Sequence, residues 1–286
     1  MFSLGQKRLA QFISRIMTRQ HMRNPLVWVT HPSQEELTNY LSYRALVYDC
    51  PRLWEGDYIN QQEALFQNAD LIFYPSPSLQ EPLKLFHRNL SMLENGVNYS
   101  IFEKAALFAR QDPFTKTLGF AGQIDYYLDL SPLLFMAREQ PLWQFLLLGT
   151  CPQGNPYLET LLSLNNVKFY QGCTPQLMAE FLFSCDVLLE FHLRKHPVQD
   201  IKSLRLYQYL ATGRPIVSHI LDKEEGQLSD LIYYAETKEE FLYLSKKALK
   251  EQSHAVEIKR QQYAKNNRWE LRGQQVKKLL VTSGLL

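Results

Sequence analysis

Short apolar runs alternate along the chain with amphipathic stretches. In the first third, Pro25–Thr30 (PLVWVT), Ala45–Tyr48, Leu71–Tyr74 and Leu90–Leu93 are runs of strand length. Between them, Gln34–Leu41, Tyr58–Asn68 and Leu79–Arg88 carry their apolar residues at helical spacing. Further on, Leu118–Gly122, Gln144–Gly149, Asn166–Tyr170, Asp186–Glu190, the run opened by Pro215, and Leu231–Tyr234 read as strands. Helical patterns cover Leu130–Arg138, Pro175–Ser184, the stretch ending at Gly213, Lys238–Gln252 and Val256–Leu280. Apolar strands without strict alternation, separated by helices, predict parallel sheets covered on both faces, the doubly wound α/β class.

One stretch is chemically distinct: Asp200–His219, DIKSLRLYQYLATGRPIVSH. Leu204, Leu206, Tyr207, Leu210 and Ala211 fall at mixed three- and four-residue spacings and predict a broad buried helix face. Gly213 suits the helix C-cap, and Pro215 starts the next strand. At the N-terminal end, free N–H groups and the helix dipole favour an anion such as a diphosphate. Ser203 adds a hydroxyl there, and Lys202 and Arg205 add positive charge. On residues alone an ordinary capped αβ unit explains the stretch as well.

Composition narrows the class. The 286 residues suffice for two domains, and 45% hydrophobic with 21% charged residues is ordinary for a globular protein. A net charge of +2 gives no whole-protein field for nucleic acid. Cys50, Cys151, Cys173 and Cys185 are scattered without a C-x-x-C, so neither a disulfide framework nor a zinc site is expected. No run approaches the roughly 18 apolar residues that span a bilayer. Residues 1–34 contain no acid, and Lys7, Arg8, Arg15, Arg19 and Arg23 accompany Leu9, Phe12, Ile13, Ile16 and Met17 on a helical pattern. Such a helix covers a sheet, lies on a membrane surface, or serves as an organelle import signal.

The segment K-S-L-R-L-Y-Q-Y-L-A-T-G-R-P-I-V resembles the donor segment of GT-B glycosyltransferases, roughly S-P-L-K-x-x-E-Y-L-A-x-G-K-P-V-V. The resemblance extends from about Pro25 to Arg272. Members that build bacterial surface polysaccharides carry V-Y-D-C followed by acids and Trp, matched by Val47-Tyr48-Asp49-Cys50 and Trp54. Glu63, Ala69-Asp70-Leu71-Ile72, Pro75-Ser76-Pro77-Ser78 and the hinge Asn95-Gly96-Val97-Asn98 follow in the family's order. At the hinge, Gly96 permits the positive φ of a sharp turn. Leu118–Gly122 resembles the family's G-Y-x-G turn, Asn166-Val167 through Gly172 its P-N-V-x-F-x-G, and Asn267–Arg272 its last-helix S-W-x-x-R.

The resemblance implies a two-domain GT-B fold: residues 1–98 as an incomplete acceptor-side domain, 99–254 as the nucleotide-sugar-binding domain, and 255–286 as a helix crossing back. It implies a cytoplasmic hexosyltransferase, retaining in stereochemistry, that moves a hexose from a nucleoside diphosphate to a glycan or lipid-linked acceptor. Neither metal nor cofactor is expected. Gly122, Lys202, Ser203, Leu204, Arg205 and Gln208 are the implied donor-binding residues. His31, Asp49 and Asp200 are the implied catalytic ones, His31 and Asp49 lying at C-terminal strand ends where open α/β sheets bind ligands.

The sequence also departs from the family. Asp200 and Gln208 stand where many retaining members have two Glu eight residues apart, so the amide of Gln208 would bond a ribose without charge assistance. The first domain would lack about three strand–helix units, whether the sequence is a fragment, a partner supplies them, or the domain has shrunk. A non-catalytic GT-B-like subunit that binds a glycan or a partner transferase is therefore the alternative. A nucleotide-sugar epimerase fits less well, because no G-x-G-x-x-G follows a first strand.

Overall fold

The computed structural model describes residues 2–108, 114–126, 128–152, 154–172, 174–191, 204–219 and 228–286. The chain divides into two compact units, residues 1–94 with 272–286, and residues 95–271.

The first unit opens with α1 (Phe2–Arg19) and builds four parallel strands: β1 (Leu26–Val29), β2 (Ala45–Asp49), β3 (Leu71–Tyr74) and β4 (Leu90–Met92). They pair in sequence order, with Val29 opposite Tyr48 and Tyr48 opposite Ile72. The helices between them are α2 (Glu35–Thr38), α3 (Ile59–Asn68) and α4 (Gln80–Lys84). The β2 and β3 strands are sealed, with Leu46, Val47, Leu71, Ile72 and Phe73 wholly buried, which is why their sequences are continuous apolar runs. Trp28 stacks on Phe73 at 5.2 Å between ring centroids. Val276, Leu279 and Leu280 from the C-terminal segment pack on Val47, Leu71 and Phe73, and Arg272 pairs with Glu94 at 3.0 Å.

The second unit starts at α5 (Tyr99–Ala106), then β5 (Thr117–Gln123), α6 (Ser131–Glu139), β6 (Gln144–Thr150), α7 (Leu158–Leu162) and β7 (Val167–Gln171). It continues with α8 (Pro175–Ser184), β8 (Val187–Glu190), α9 (Leu204–Thr212), β9 (Ile216–Ser218), β10 (Tyr233–Tyr234), α10 (Lys238–Ala248) and α11 (His254–Asn266), and ends in the first residues of α12 (Trp269–Thr282), which from Arg272 on belongs to the first unit. The strands form one parallel sheet in the order β10-β9-β8-β5-β6-β7. The chain first runs outward from β5 to β7, then returns to β8 and runs outward the other way. The order therefore reverses between β5 and β8, the switch point where open α/β sheets bind ligands beyond their C-terminal ends. Period-two alternation splits the core. Leu118, Phe120, Phe145, Leu147, Val187 and Leu189 join one buried cluster; Ala121, Leu148, Leu188 and Ile216 join the other.

Four expectations need correction. The last helical pattern is two helices, because Arg268 leaves the helix to bridge Val97, with Val97 N–H donating to Asn267 O and Trp269 N–H to Val97 O, both at 3.1 Å. Gly96 has no positive φ; it is required because the Trp269 indole would lie 2.9 Å from any Cβ there. Leu204 is 43% exposed, and Tyr209, not expected in the core, is buried. The helices α5 and α7, eight and five residues long, were not among the expected elements. The C-cap at Gly213 is as expected, with φ +76°.

Candidate functional site

In the second unit, three elements meet at the C-terminal end of the switch point. β8 ends on Glu190, whose side chain is wholly buried. An isolated carboxylate in such a place is strongly disfavoured and needs a partner. The partner is Arg205, in the first turn of α9. Its Nε–H donates to Glu190 Oε2 at 2.5 Å and its Nη2–H to Oε1 at 2.7 Å, a bidentate pair. The guanidinium carbon stands 4.7 Å over the Phe120 ring of β5. Burial pulls the Arg205 pKa down, but Glu190 outweighs it and the net direction is up, so the cation is permanent.

Gly122, near the end of β5, admits this arrangement. A Cβ there would lie 2.5 Å from Arg205 Nη1. On the adjacent strand, a Cβ at Gly149 would collide with the Gly122 carbonyl oxygen, so two glycines bring two backbones and one guanidinium together. Tyr209, one turn further along α9, accepts the Ala121 N–H at 3.0 Å through its hydroxyl. Burial, then Glu190, raises the Tyr209 pKa, which keeps the phenol neutral. The α9 helix is thus anchored to β5 and β8 beside its N-terminal turn, the end that favours anions.

Of the expected donor-binding residues, Gly122 and Arg205 come together here. Leu204 begins α9 with its side chain exposed, and Gln208 is half-buried on the same helix. Asp200, Lys202 and Ser203 lie outside the described residues. Sequence reasoning missed Glu190, Phe120 and Tyr209. The signal for Glu190 was present: an acid closing the otherwise apolar strand Val187–Glu190.

In the first unit, His31 and Asp49 sit just past or at the C-terminal ends of the paired strands β1 and β2. His31 caps a 3-10 turn, Pro32–Gln34: its Nδ1 accepts the Ser33 N–H at 3.1 Å, while Gln34 Oε1 accepts the His31 N–H at 3.1 Å. With Nδ1 accepting, the proton of the neutral ring is on Nε2. The ring lies 4.3 Å from Trp54 and 4.9 Å from Tyr58, both edge-on. Burial raises the Asp49 pKa, partly offset by a hydrogen bond with Trp28. Burial likewise pushes the neighbouring Cys50 thiol up to about 12, so this thiol is inert at neutral pH. Among the described residues no group of three or more His, Cys, Asp or Glu could hold a metal ion, and no helix is long and apolar enough to cross a membrane.

No family model matches the chain. A curated relative, the Bacillus subtilis (strain 168) protein described as putative teichuronic acid biosynthesis glycosyltransferase TuaH, is 24% identical over 234 residues, covering 72% of this chain. The chain spans 58% of that relative's length. Among solved structures, sucrose-phosphate synthase from Thermosynechococcus elongatus superposes with a TM-score of 0.75 at 13% identity, covering 96% of this chain and 77% of that one. Anabaena HepE in complex with UDP-glucose gives 0.70 at 16% identity, covering 96% and 84%. The trehalose 6-phosphate synthase of Burkholderia multivorans gives 0.69 at 11%, covering 98% and 75%. These relatives are glycosyltransferases, and the chain shares their GT-B fold.

Proposed function

We propose that this chain, which has the GT-B fold, is a glycosyltransferase that takes a hexose from a uridine diphosphate donor. One observation carries the reading: Arg205 is held by Glu190 against Gly122 at the switch point of the second unit, beside the N-terminal turn of α9. In sugar transfer the negative charge develops on the leaving diphosphate, and a preorganised guanidinium with backbone N–H groups stabilises it as it forms. Lys202 and Ser203 precede the same helix in sequence and join this set. Gln208 serves the ribose through its amide, and Asp200 the sugar hydroxyls. The choice of uridine rests on the HepE complexes with UDP and UDP-glucose.

His31 and Asp49 act on the acceptor side, His31 near the reacting sugar and Asp49 orienting an acceptor hydroxyl. The acceptor is a glycan or lipid-linked sugar and the reaction retains configuration. A role in surface polysaccharide synthesis is supported by the relative's association with teichuronic acid. The donor is held by protein groups, with no cofactor. Peripheral membrane contact is supported by α1, where Leu9, Phe12 and Ile16 are exposed beside Arg8, Arg15 and Arg19.

The test is release of UDP from UDP-sugars by the purified chain, with and without membrane-extracted lipid-linked glycans. Acceptor-stimulated release, reduced by at least about tenfold in Arg205→Ala, is the expected result. Binding of UDP without release under any acceptor condition favours the second reading, a non-catalytic subunit, which the uncharged Gln208 supports.

A further inference from the structure

We propose that Glu190 is the positioning residue of the donor site: it fixes the Arg205 guanidinium so that the edge carrying Nη1 meets the donor diphosphate. This inference rests on the glycosyltransferase reading above. Arginine has five N–H donors in a rigid fork. Glu190 takes the Nε–H and one Nη2–H, both through short bonds, so the carboxylate-bound edge faces the end of β8. The opposite nitrogen, Nη1, lies where a side chain at Gly122 would stand, 2.5 Å from the place of its Cβ. The flat of the fork rests on Phe120. A long side chain is thereby held from three directions by β8 and β5, at the point where ligands of such sheets bind.

Pairing also changes what the site offers. Glu190 is wholly buried and compensates the charge of Arg205. The pair gives a diphosphate directed N–H donors in place of a free net charge. A lysine at the same place would offer a point charge without this geometry. The readout is therefore the preference for a diphosphate over the bare nucleoside, which a merely structural ion pair would not set.

The experiment measures the affinities of UDP and uridine for the full chain by NMR titration, in wild type and in Glu190→Gln. The amide keeps the size but offers one acceptor and turns an N–H toward the guanidinium. The expected result is a fall of at least about tenfold in the UDP-to-uridine preference, with uridine affinity changed less than about twofold. An unchanged preference, or tighter UDP binding, in folded Glu190→Gln overturns the proposal. Should that variant fail to fold, Glu190→Asp keeps the buried pair neutral but is too short to hold both N–H groups in place. A folded Glu190→Asp protein with wild-type preference overturns the proposal, and a lowered preference supports it. Absence of UDP binding to the wild type would instead overturn the functional reading, and this inference with it.

Discussion

Glu190 and Arg205 stand fifteen residues apart in sequence and share two hydrogen bonds in the fold. From sequence, Arg205 reads as a cation available to a phosphate, and nothing local announces that it already has a partner. The packing supplies the reason: a carboxylate closing a buried strand cannot stay charged without a cation, and Arg205 is delivered to it by the first turn of α9. Gly122 is the third member, since its missing side chain is the space that Arg205 Nη1 occupies. Gly122→Ala should push the guanidinium off Glu190. The expected outcome is a loss of about 1 kcal/mol of stability, seen as a lowered melting point, together with UDP affinity reduced about tenfold. Calorimetry and UDP titration of the same sample check both. Unchanged affinity would show that Arg205 is not placed for the ligand.

At the scale of elements, α1 combines two stripes on its solvent side. Leu9, Phe12 and Ile16 are 46%, 59% and 41% exposed, while Ala10 is buried against the rest of the unit. Arg8, Arg15 and Arg19 follow the same three- to four-residue periodicity beside them, and no acid interrupts residues 1–34. An apolar stripe edged by arginines suits the plane of an anionic bilayer, with the guanidinium groups among the headgroups. Vesicles of phosphatidylglycerol and phosphatidylcholine should sediment the protein at low salt, and release it on Arg8→Glu/Arg15→Glu substitution or on omission of the anionic lipid. Sedimentation indifferent to lipid charge would contradict a role of α1 at an anionic membrane.

Apolar runs such as Leu71–Tyr74 and Gln144–Gly149 predict buried parallel strands because a strand covered on both faces has no polar side to alternate. Tertiary contacts decided the failures. Arg268 has no local reason to interrupt a helix, and does so because its backbone completes a bridge to Val97. Gly96 reads as a hinge glycine by its neighbours, yet its lack of a side chain serves the Trp269 indole. Tyr209 is absent from the buried face that spacing predicts, and its hydroxyl accepts the Ala121 N–H across the unit.

For the molecule as a whole, the α/β class, the parallel sheets and the helix–turn–strand around Gly213 were readable because they follow from periodicity and from one glycine–proline stop. The distribution of charge within the site was not, because Glu190 and Arg205 meet only once β8 and α9 are packed. His31 and Asp49 were placed correctly at strand ends, since a residue after a parallel strand falls at one edge of the sheet whatever the rest of the packing.

Under the proposed function, the second unit holds the diphosphate of a nucleotide sugar. A thermal-shift panel of the purified chain with UDP, GDP, ADP and CMP tests it most directly, because a ligand bound only by the folded form raises the melting temperature by mass action. The expected result is a selective rise with UDP that is lost in Arg205→Ala. A well-folded wild-type protein whose melting temperature no nucleotide moves, or a UDP shift that survives Arg205→Ala intact, would contradict it.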